Sequence, residues 1–369
     1  MNESKKRMRI FYASDTTPNS AFQSNLWRNN LYSPLIELGH EVIEFQYDLR
    51  KTFQNLDPSI PKQRAFITKN RQKLTEELLK QIKAAHSTKN IDLFFSYFYD
   101  ACILPEAIDE IRSLGIKTVN WYCNGAYQLH LVREISSHYD WCLVPEKFRL
   151  KDYISMGARP IYCQEAANSN IYKPYNLPKE FDVTFVGQAY GERPAYIKHL
   201  LDKGINIRVW GQGWKDSLTG KNLLKKSLQA ILKIKNSDIK LPDKILGRVL
   251  SDTEMIKMYS RSKINLGFSS CGETHKTKKI LQVRLRDFEV PMSGGFYMVE
   301  YMEELEEFFK IGKEIVCYSN PEDLAEKIKY YLSHETEREA IRKAGYERCL
   351  RDHTWHRRFE KTFEEMKLQ

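Results

Sequence analysis

Short apolar runs recur along the chain, and most are followed by a turn-forming segment and then an amphipathic stretch. Residues 8–13 (MRIFYA), 40–45 (HEVIEF), 92–97 (DLFFSY), 117–122 (KTVNWY), 140–144 (DWCLV) and 160–163 (PIYC) are short and rich in β-branched and aromatic side chains. Runs of that length and make-up predict buried strands. Between them, 21–38, 64–85, 105–114, 127–137 and 150–156 read as helices, three of them ended by Gly39, Gly115 and Gly157. Strand, helix, glycine, strand is the grammar of parallel βαβ units. The pattern lapses over 166–178 (AANSNIYKPYNLP), where two prolines, three asparagines and no apolar period predict a linker.

A second set then begins. Strands are expected at 182–186 (DVTFV), 206–210 (NIRVW), 264–268 (INLGF), 296–299 (FYMV) and 314–318 (EIVCY), with helices at 194–202, 252–260, 303–309, 321–333, 337–350 and 351–367. The resulting division is 1–165 for the first domain, 166–178 for the linker, 179–350 for the second domain and 351–369 for a terminal helix expected to pack back towards the first. Both domains read as doubly wound α/β units. Residues 221–235 (KNLLKKSLQAILKIK) form an amphipathic helix with leucines on one face and lysines on the rest, a pattern compatible with an anionic membrane surface or with an insertion packed on its own domain.

Composition narrows the classes. A chain of 369 residues with 42% hydrophobic residues is long enough for two cores and excludes a wholly disordered protein. The net charge of +10 fits an anionic ligand, an anionic membrane or nucleic acid without choosing among them. No apolar run reaches the ~20 residues of a membrane span. The first residues are charged and lead into a strand, which is not the pattern of a secretory signal. The seven cysteines include no C-x-x-C pair, and Cys102, Cys142 and Cys317 are expected as buried thiols, which points to a reducing cytoplasm and away from zinc chemistry.

The chemistry concentrates in 281–300 (LQVRLRDFEVPMSGGFYMVE) and in the loop that follows the 182–186 strand. Arg284 and Arg286 suit a diphosphate, and Glu289 has the chemistry to accept from a ribose diol. Ser293, Gly294 and Gly295 are expected to form a turn whose free N–H groups approach the diphosphate. Such a turn is also ordinary punctuation, and the segment reads equally as a surface helix with ion pairs. Gly187 and Arg193 flank the loop after the first strand of the second domain, and Gly211 follows the next strand. In the first domain, Asp15 and His130 stand in loops and are candidates for the base that takes an acceptor proton; Asp15 is equally a helix N-cap, and a lone histidine is more often structural. Lys278 or Lys279 adds a further cation.

The order of several segments resembles one family. DVTFVGQAYGERPAYIKHLLDKGINIRVWGQGW, YSRSKINLGF, LRDFEVPMSGGFYMVE, EIVCYSNPEDLAEKIKYYL and DHTWHRRFEKTF together resemble the CgeB-like (spore maturation protein) branch of GT-B glycosyltransferases over most of 181–362, and LIELGHEV and DWCLVPEKFRLKDYISMGARPIYCQEAANSNIYKP extend the likeness more weakly into the first half. The resemblance implies GT-B architecture, with two Rossmann-like domains facing a cleft. It implies a metal-independent transfer from a UDP-, GDP- or dTDP-sugar, with no cofactor, to a glycan, lipid-linked or protein acceptor. By position, Glu289 matches a ribose-binding glutamate, Ser293–Gly295 the turn around the diphosphate, Gly187 and Arg193 the first glycine loop of the donor domain, and Arg286 the arginine before that glutamate. Leu281 stands where related retaining enzymes carry a second glutamate, and Asn124 stands where an acid is expected. Two other readings compete: a nucleotide-sugar-binding or interaction module without catalysis, and a transferase acting on DNA bases, which ranks behind the others because no base-reading element is visible. The protein is expected in the cytoplasm, with the 221–235 helix the candidate for peripheral membrane contact.

Overall fold

The computed structural model describes residues 7–14, 24–54, 56–215, 239–271 and 279–368. Asp15, the start of the helix expected at 21–38, the amphipathic segment 221–235 and Lys278 lie outside the described residues. The chain divides into two compact units, Met1–Ile171 with Asp352–Gln369, and Tyr172–Arg351.

The first unit holds a six-stranded sheet, β1 (Arg9–Ala13), β2 (Glu41–Glu44), β3 (Leu93–Ser96), β4 (Lys117–Trp121), β5 (Trp141–Val144) and β6 (Pro160–Tyr162), in the order β2-β1-β3-β4-β5-β6. Every pairing is parallel. All four residues of β3 are buried, as a central strand covered on both faces requires. The helix expected at 64–85 is longer, Pro61–Thr88, and opens on a proline that fits the first turn of a helix. The stretch 127–137 is not one helix. It breaks into Gly125–Gln128 and two 3-10 turns, Leu129–Val132 and Ser136–His138. Asp100 holds this segment through bonds from the Glu134 and Ile135 amides, both 3.2 Å.

The terminal helix Trp355–Glu365 belongs to this first unit. Trp355 is fully buried with its ring 5.5 Å from that of Trp121, and Phe359 meets Phe95 edge to face at 5.7 Å. His356 bonds Glu37 at 2.6 Å, and Arg358 donates to the Gln164 carbonyl at 3.1 Å. His356 and Arg358 therefore fasten this helix.

The second unit holds β7 (Phe181–Val186), β8 (Ile207–Trp210), β9 (Ser262–Gly267), β10 (Tyr297–Glu300) and β11 (Val316–Tyr318), ordered β11-β10-β9-β7-β8 and parallel throughout. The strand order reverses at β7, with β8 on one side and β9 on the other. In an open parallel sheet, loops diverge at that reversal and leave a crevice at the carboxyl ends of the strands. Its core includes Val183, Phe185, Ile264, Leu266, Phe296 and Met298. Within the sheet, the Thr184 hydroxyl is satisfied by Ser262 at 2.8 Å and Asn265 at 3.1 Å, so buried polarity carries no penalty there.

Trp355→Ala removes a fully buried indole from the first unit and is expected to lower unfolding free energy by about 3–5 kcal/mol, read by urea denaturation.

Candidate functional site

Three arginines converge at the carboxyl edge of the second sheet, at its reversal point. Arg193 opens the helix Arg193–Asp202 after β7 and is 3% exposed. Its Nη1 donates to the Gln188 carbonyl at 3.0 Å and its Nη2 to the Tyr190 hydroxyl at 2.7 Å. The guanidinium lies 3.8 Å above the Tyr190 ring and 5.2 and 5.5 Å from the rings of Phe185 and Phe268. Arg286, on the helix Leu285–Met292 that follows the β9 loop, lies over Phe185 at 5.4 Å. Arg284, at the cap of that helix, donates to the Ser270 carbonyl at 2.8 Å. Aromatic faces hold guanidinium groups without neutralising them.

Among the described residues none of these three arginines forms an ion pair, and the Nε of each is buried without a hydrogen-bond partner. Burial, opposed by Tyr190 and reinforced by repulsion from Arg284 and Arg286, brings the Arg193 pKa down to about 9. Asp287 acts through space on Arg284 and Arg286, and Glu289 on Arg286, while the nearby acids also keep other partners. Lys279 bridges Glu192 at 3.2 Å and Glu300. Asp287 accepts from the Arg284 amide at 2.8 Å, capping the helix, and from the Tyr297 hydroxyl at 2.6 Å. Cations whose Nε donors are buried and unfilled have the chemistry to receive an anion.

Glycine lets the backbone into this space. The Gly187 amide donates to the Trp210 carbonyl at 2.8 Å, the Ala189 amide to the Gln212 carbonyl at 2.9 Å, and the Trp214 indole to the Gly187 carbonyl at 2.6 Å. The β7 and β8 loops are thus laced together. A Cβ at Gly187 would stand 3.0 Å from an Arg286 Nη, and one at Gly211 only 2.2 Å from the Gly187 carbonyl oxygen. Gly211 also takes a φ of +137°, open to glycine.

Glu289 lies on the same helix as Arg286, buried, with Oε1 unpartnered and a hydrogen bond to Tyr172. Burial pushes its pKa up to about 7, against the opposing effects of Tyr172 and Arg286.

Ser293, Gly294 and Gly295 are not part of this cluster, which corrects the expectation that they cradle a diphosphate. They close the helix Leu285–Met292 and lead into β10, at the amino-terminal edge of the sheet. In a βαβ unit only the loop entering the helix sits at the carboxyl edge; the turn leaving it returns to the opposite end. Their glycines serve packing: a Cβ at Gly294 would press on Pro174 at 2.9 Å, and one at Gly295 on Asn265 and Val290, each at 2.8 Å. The Ser293 amide is spent on the Glu289 carbonyl at 3.0 Å.

In the first unit, His130 is exposed on the 3-10 turn Leu129–Val132. The carboxyl edge there also carries a buried acid that sequence reading did not single out. Glu146 accepts from the Ala126 amide at 3.1 Å, and burial raises its pKa to about 7. Nothing local in the sequence marks it, because its environment comes from the loop after a neighbouring strand. Sequence reading also missed Phe185, Phe268 and Tyr190 as the bed for Arg193. Phe185 and Tyr190 flank Gly187 in the sequence and Phe268 follows β9, but aromatic residues there read equally as core.

Known proteins resemble this chain. Residues 193–364 match the model of the glycosyl transferase-like family. Sucrose-phosphate synthase from Thermosynechococcus elongatus is 13% identical over 98% of this chain and 99% of its own, with a TM-score of 0.62. Anabaena HepE in complex with UDP is 11% identical over 98% and 100%, with a TM-score of 0.59. AviGT4, a glycosyltransferase involved in avilamycin A biosynthesis, is 12% identical over 98% and 97%, with a TM-score of 0.54. No curated protein matches by sequence. At such identities the likeness is one of fold: two parallel-sheet α/β domains of GT-B architecture.

The Glu289 carboxyl has an ordinary pKa of 4.5 when unfolded and about 7 when folded. Ionisation of the unfolded chain therefore lowers stability progressively from about pH 4.5 to 7, and above that the whole cost is present. Glu289→Gln removes this term. The variant is expected to gain on the wild type by up to about 3 kcal/mol between pH 4.5 and 8, read by urea unfolding at both pH values.

Proposed function

We propose that this protein transfers a glycosyl group from a nucleotide-sugar donor to an acceptor hydroxyl, and that the second unit binds the donor. The observation that carries the reading is the set of three unpaired guanidinium groups, with buried unfilled donors, at the strand-order reversal of the second sheet. A match to a glycosyl transferase-like model over 193–364 covers most of that unit and includes all three arginines. HepE, with the same fold, is known in complex with UDP and with UDP-glucose.

In the reaction, the bond between the anomeric carbon and the diphosphate oxygen breaks and its electron pair stays on that oxygen. A new bond forms from the acceptor oxygen to the anomeric carbon, and the hydroxyl proton leaves to a base. Arg193 and Arg286 stand where the growing negative charge of the leaving diphosphate requires donors, and their placement before the reaction avoids reorganisation during it. Fixed cations of this kind serve a metal-independent departure. Gly187 and Gly211 give the diphosphate close access to the backbone. Glu289 is assigned to the ribose hydroxyls, with Oε1 as the unfilled acceptor. The base belongs to the first unit, where Asp15 and His130 remain the candidates. The acceptor class is a glycan, a lipid-linked saccharide or a protein, and the CgeB-like branch is the subfamily this reading favours.

A thermal-shift panel of UDP, GDP, dTDP and their sugar esters tests the donor site, since a ligand that binds only the folded state raises the melting temperature. At least one nucleotide is expected to stabilise the wild type. Arg193→Gln is expected to abolish that shift and to slow donor turnover by about a hundredfold, the usual cost of losing one such donor, about 3 kcal/mol. A variant that responds to nucleotide like the wild type places the diphosphate elsewhere.

A further inference from the structure

We infer that one face of the first unit docks on the surface of an anionic lipid bilayer, through a lysine stripe on the helix Pro61–Thr88 and the segment 147–154. The inference stands apart from the donor-site reading above. Between positions 61 and 75 that helix carries five Lys or Arg and no Asp or Glu. Lys62, Lys69 and Lys73 are exposed, and spacings of seven and four residues put them on one stripe. Among the described residues none of the three meets a carboxylate. Neighbouring charges are spent locally. Arg71 pairs with Glu134 at 2.7 Å, Lys80 with Glu77 at 3.3 Å, and Asp57 takes the Ser59 amide at 2.8 Å. Ile60, the residue before the helix, is exposed.

The second segment belongs to the same face. The steps from β2 to β3 and from β5 to β6 run in one direction across the sheet order, and right-handed parallel crossovers put the helices between them on one side. Both connections leave from the carboxyl edge: the 3-10 turn Lys147–Arg149 and the helix Leu150–Ser155 follow β5, as Pro61–Thr88 follows β2. Phe148 is 47% exposed and Ile154 61%. Lys147 and Lys151 are exposed beside them, and Arg149 holds the one acid of the segment, Asp152, at 2.9 Å. On the intervening helix, Asp109 pairs with His138 at 2.7 Å and Glu110 with Lys83, which leaves Glu106 as its exposed acid. Single exposed apolar residues scattered over a surface need no explanation. Here three of the four large ones described in the first unit, Ile60, Phe148 and Ile154, stand among lysines on one face, with Ile36 the fourth. A dissolved polyanion would use the lysines alone. A lipid surface uses both kinds of side chain, because headgroup charge draws the lysines and the interface takes up the apolar groups.

Co-sedimentation of the full chain with vesicles tests this, using phosphatidylcholine alone and phosphatidylcholine with about 30% phosphatidylglycerol, in about 0.1 M salt. The wild type is expected to bind the anionic vesicles at least about tenfold more tightly than the neutral ones, since several lysines act together. Lys62→Glu, Lys69→Glu and Lys73→Glu, made together, are expected to remove most of that preference. Phe148→Ser with Ile154→Ser is expected to weaken vesicle binding by at least about threefold, a loss that persists when salt is raised because apolar insertion is not screened, and to leave retention on heparin unchanged. All five positions are exposed, so each variant is expected to keep the wild-type melting temperature, and if one set fails to fold the other decides. Three results overturn the inference. One is a wild type with no preference for anionic vesicles. Another is binding that survives both sets of substitutions and falls only with Lys225→Glu and Lys226→Glu in the amphipathic segment 221–235. The third is vesicle binding indifferent to the two serines while the glutamates abolish retention on heparin, which assigns the stripe to a dissolved polyanion.

Discussion

Positive charge held largely on aromatic faces and uncharged acceptors is the constraint around which the second unit is arranged. Arg193 is almost wholly buried, yet its partners are a carbonyl, a phenol and three rings. Burying a cation this way is costly unless it is solvated by fixed dipoles, and its lowered pKa records that cost. Two more guanidinium groups nearby make the arrangement worse for the empty protein. An anion that completed such a site would stabilise the fold by linkage.

The rest of the unit can be read as support for that cluster. Phe185 ends β7 against Trp214 and Phe268, forming a rigid aromatic floor. The lacing of the β7 and β8 loops through Gly187, Ala189 and Trp214 holds the loop that presents Arg193. Asp287 caps the helix that carries Arg284, Arg286 and Glu289, and the Tyr297 hydroxyl orients Asp287 in turn. Gly267 makes room for that tyrosine, since a Cβ there would fall 1.9 Å from its hydroxyl oxygen. Second-layer contacts of this kind set the positions of charged groups more tightly than the groups' own rotamers do.

The first unit is organised differently. Its buried acids, Asp100 and Glu146, bind backbone amides and join one loop to the next. Its helix Trp355–Glu365 is attached by Trp355, Phe359 and the His356–Glu37 pair. Among the described residues no helix is long and apolar enough to cross a membrane.

The sequence by itself was enough to determine the alternation of strands and helices, the two α/β sets and the list of arginines. Those depend on period, turn residues and side-chain chemistry, all of which are local. It placed Arg193, Arg284, Arg286, Gly187 and Gly211 in loops and helix starts that the sheet then brought to one edge. It misassigned Ser293–Gly295, because a glycine pair looks the same whether it enters or leaves a helix, and only the strand direction tells the two ends of a sheet apart. It also read 127–137 as one helix, where the Asp100 carboxylate binds amides 34 and 35 residues further along the chain. Strand order, the reversal at β7 and the burial of Glu146 and Glu289 came from tertiary structure alone. Each arises from contacts between residues far apart in the chain, which no local pattern encodes.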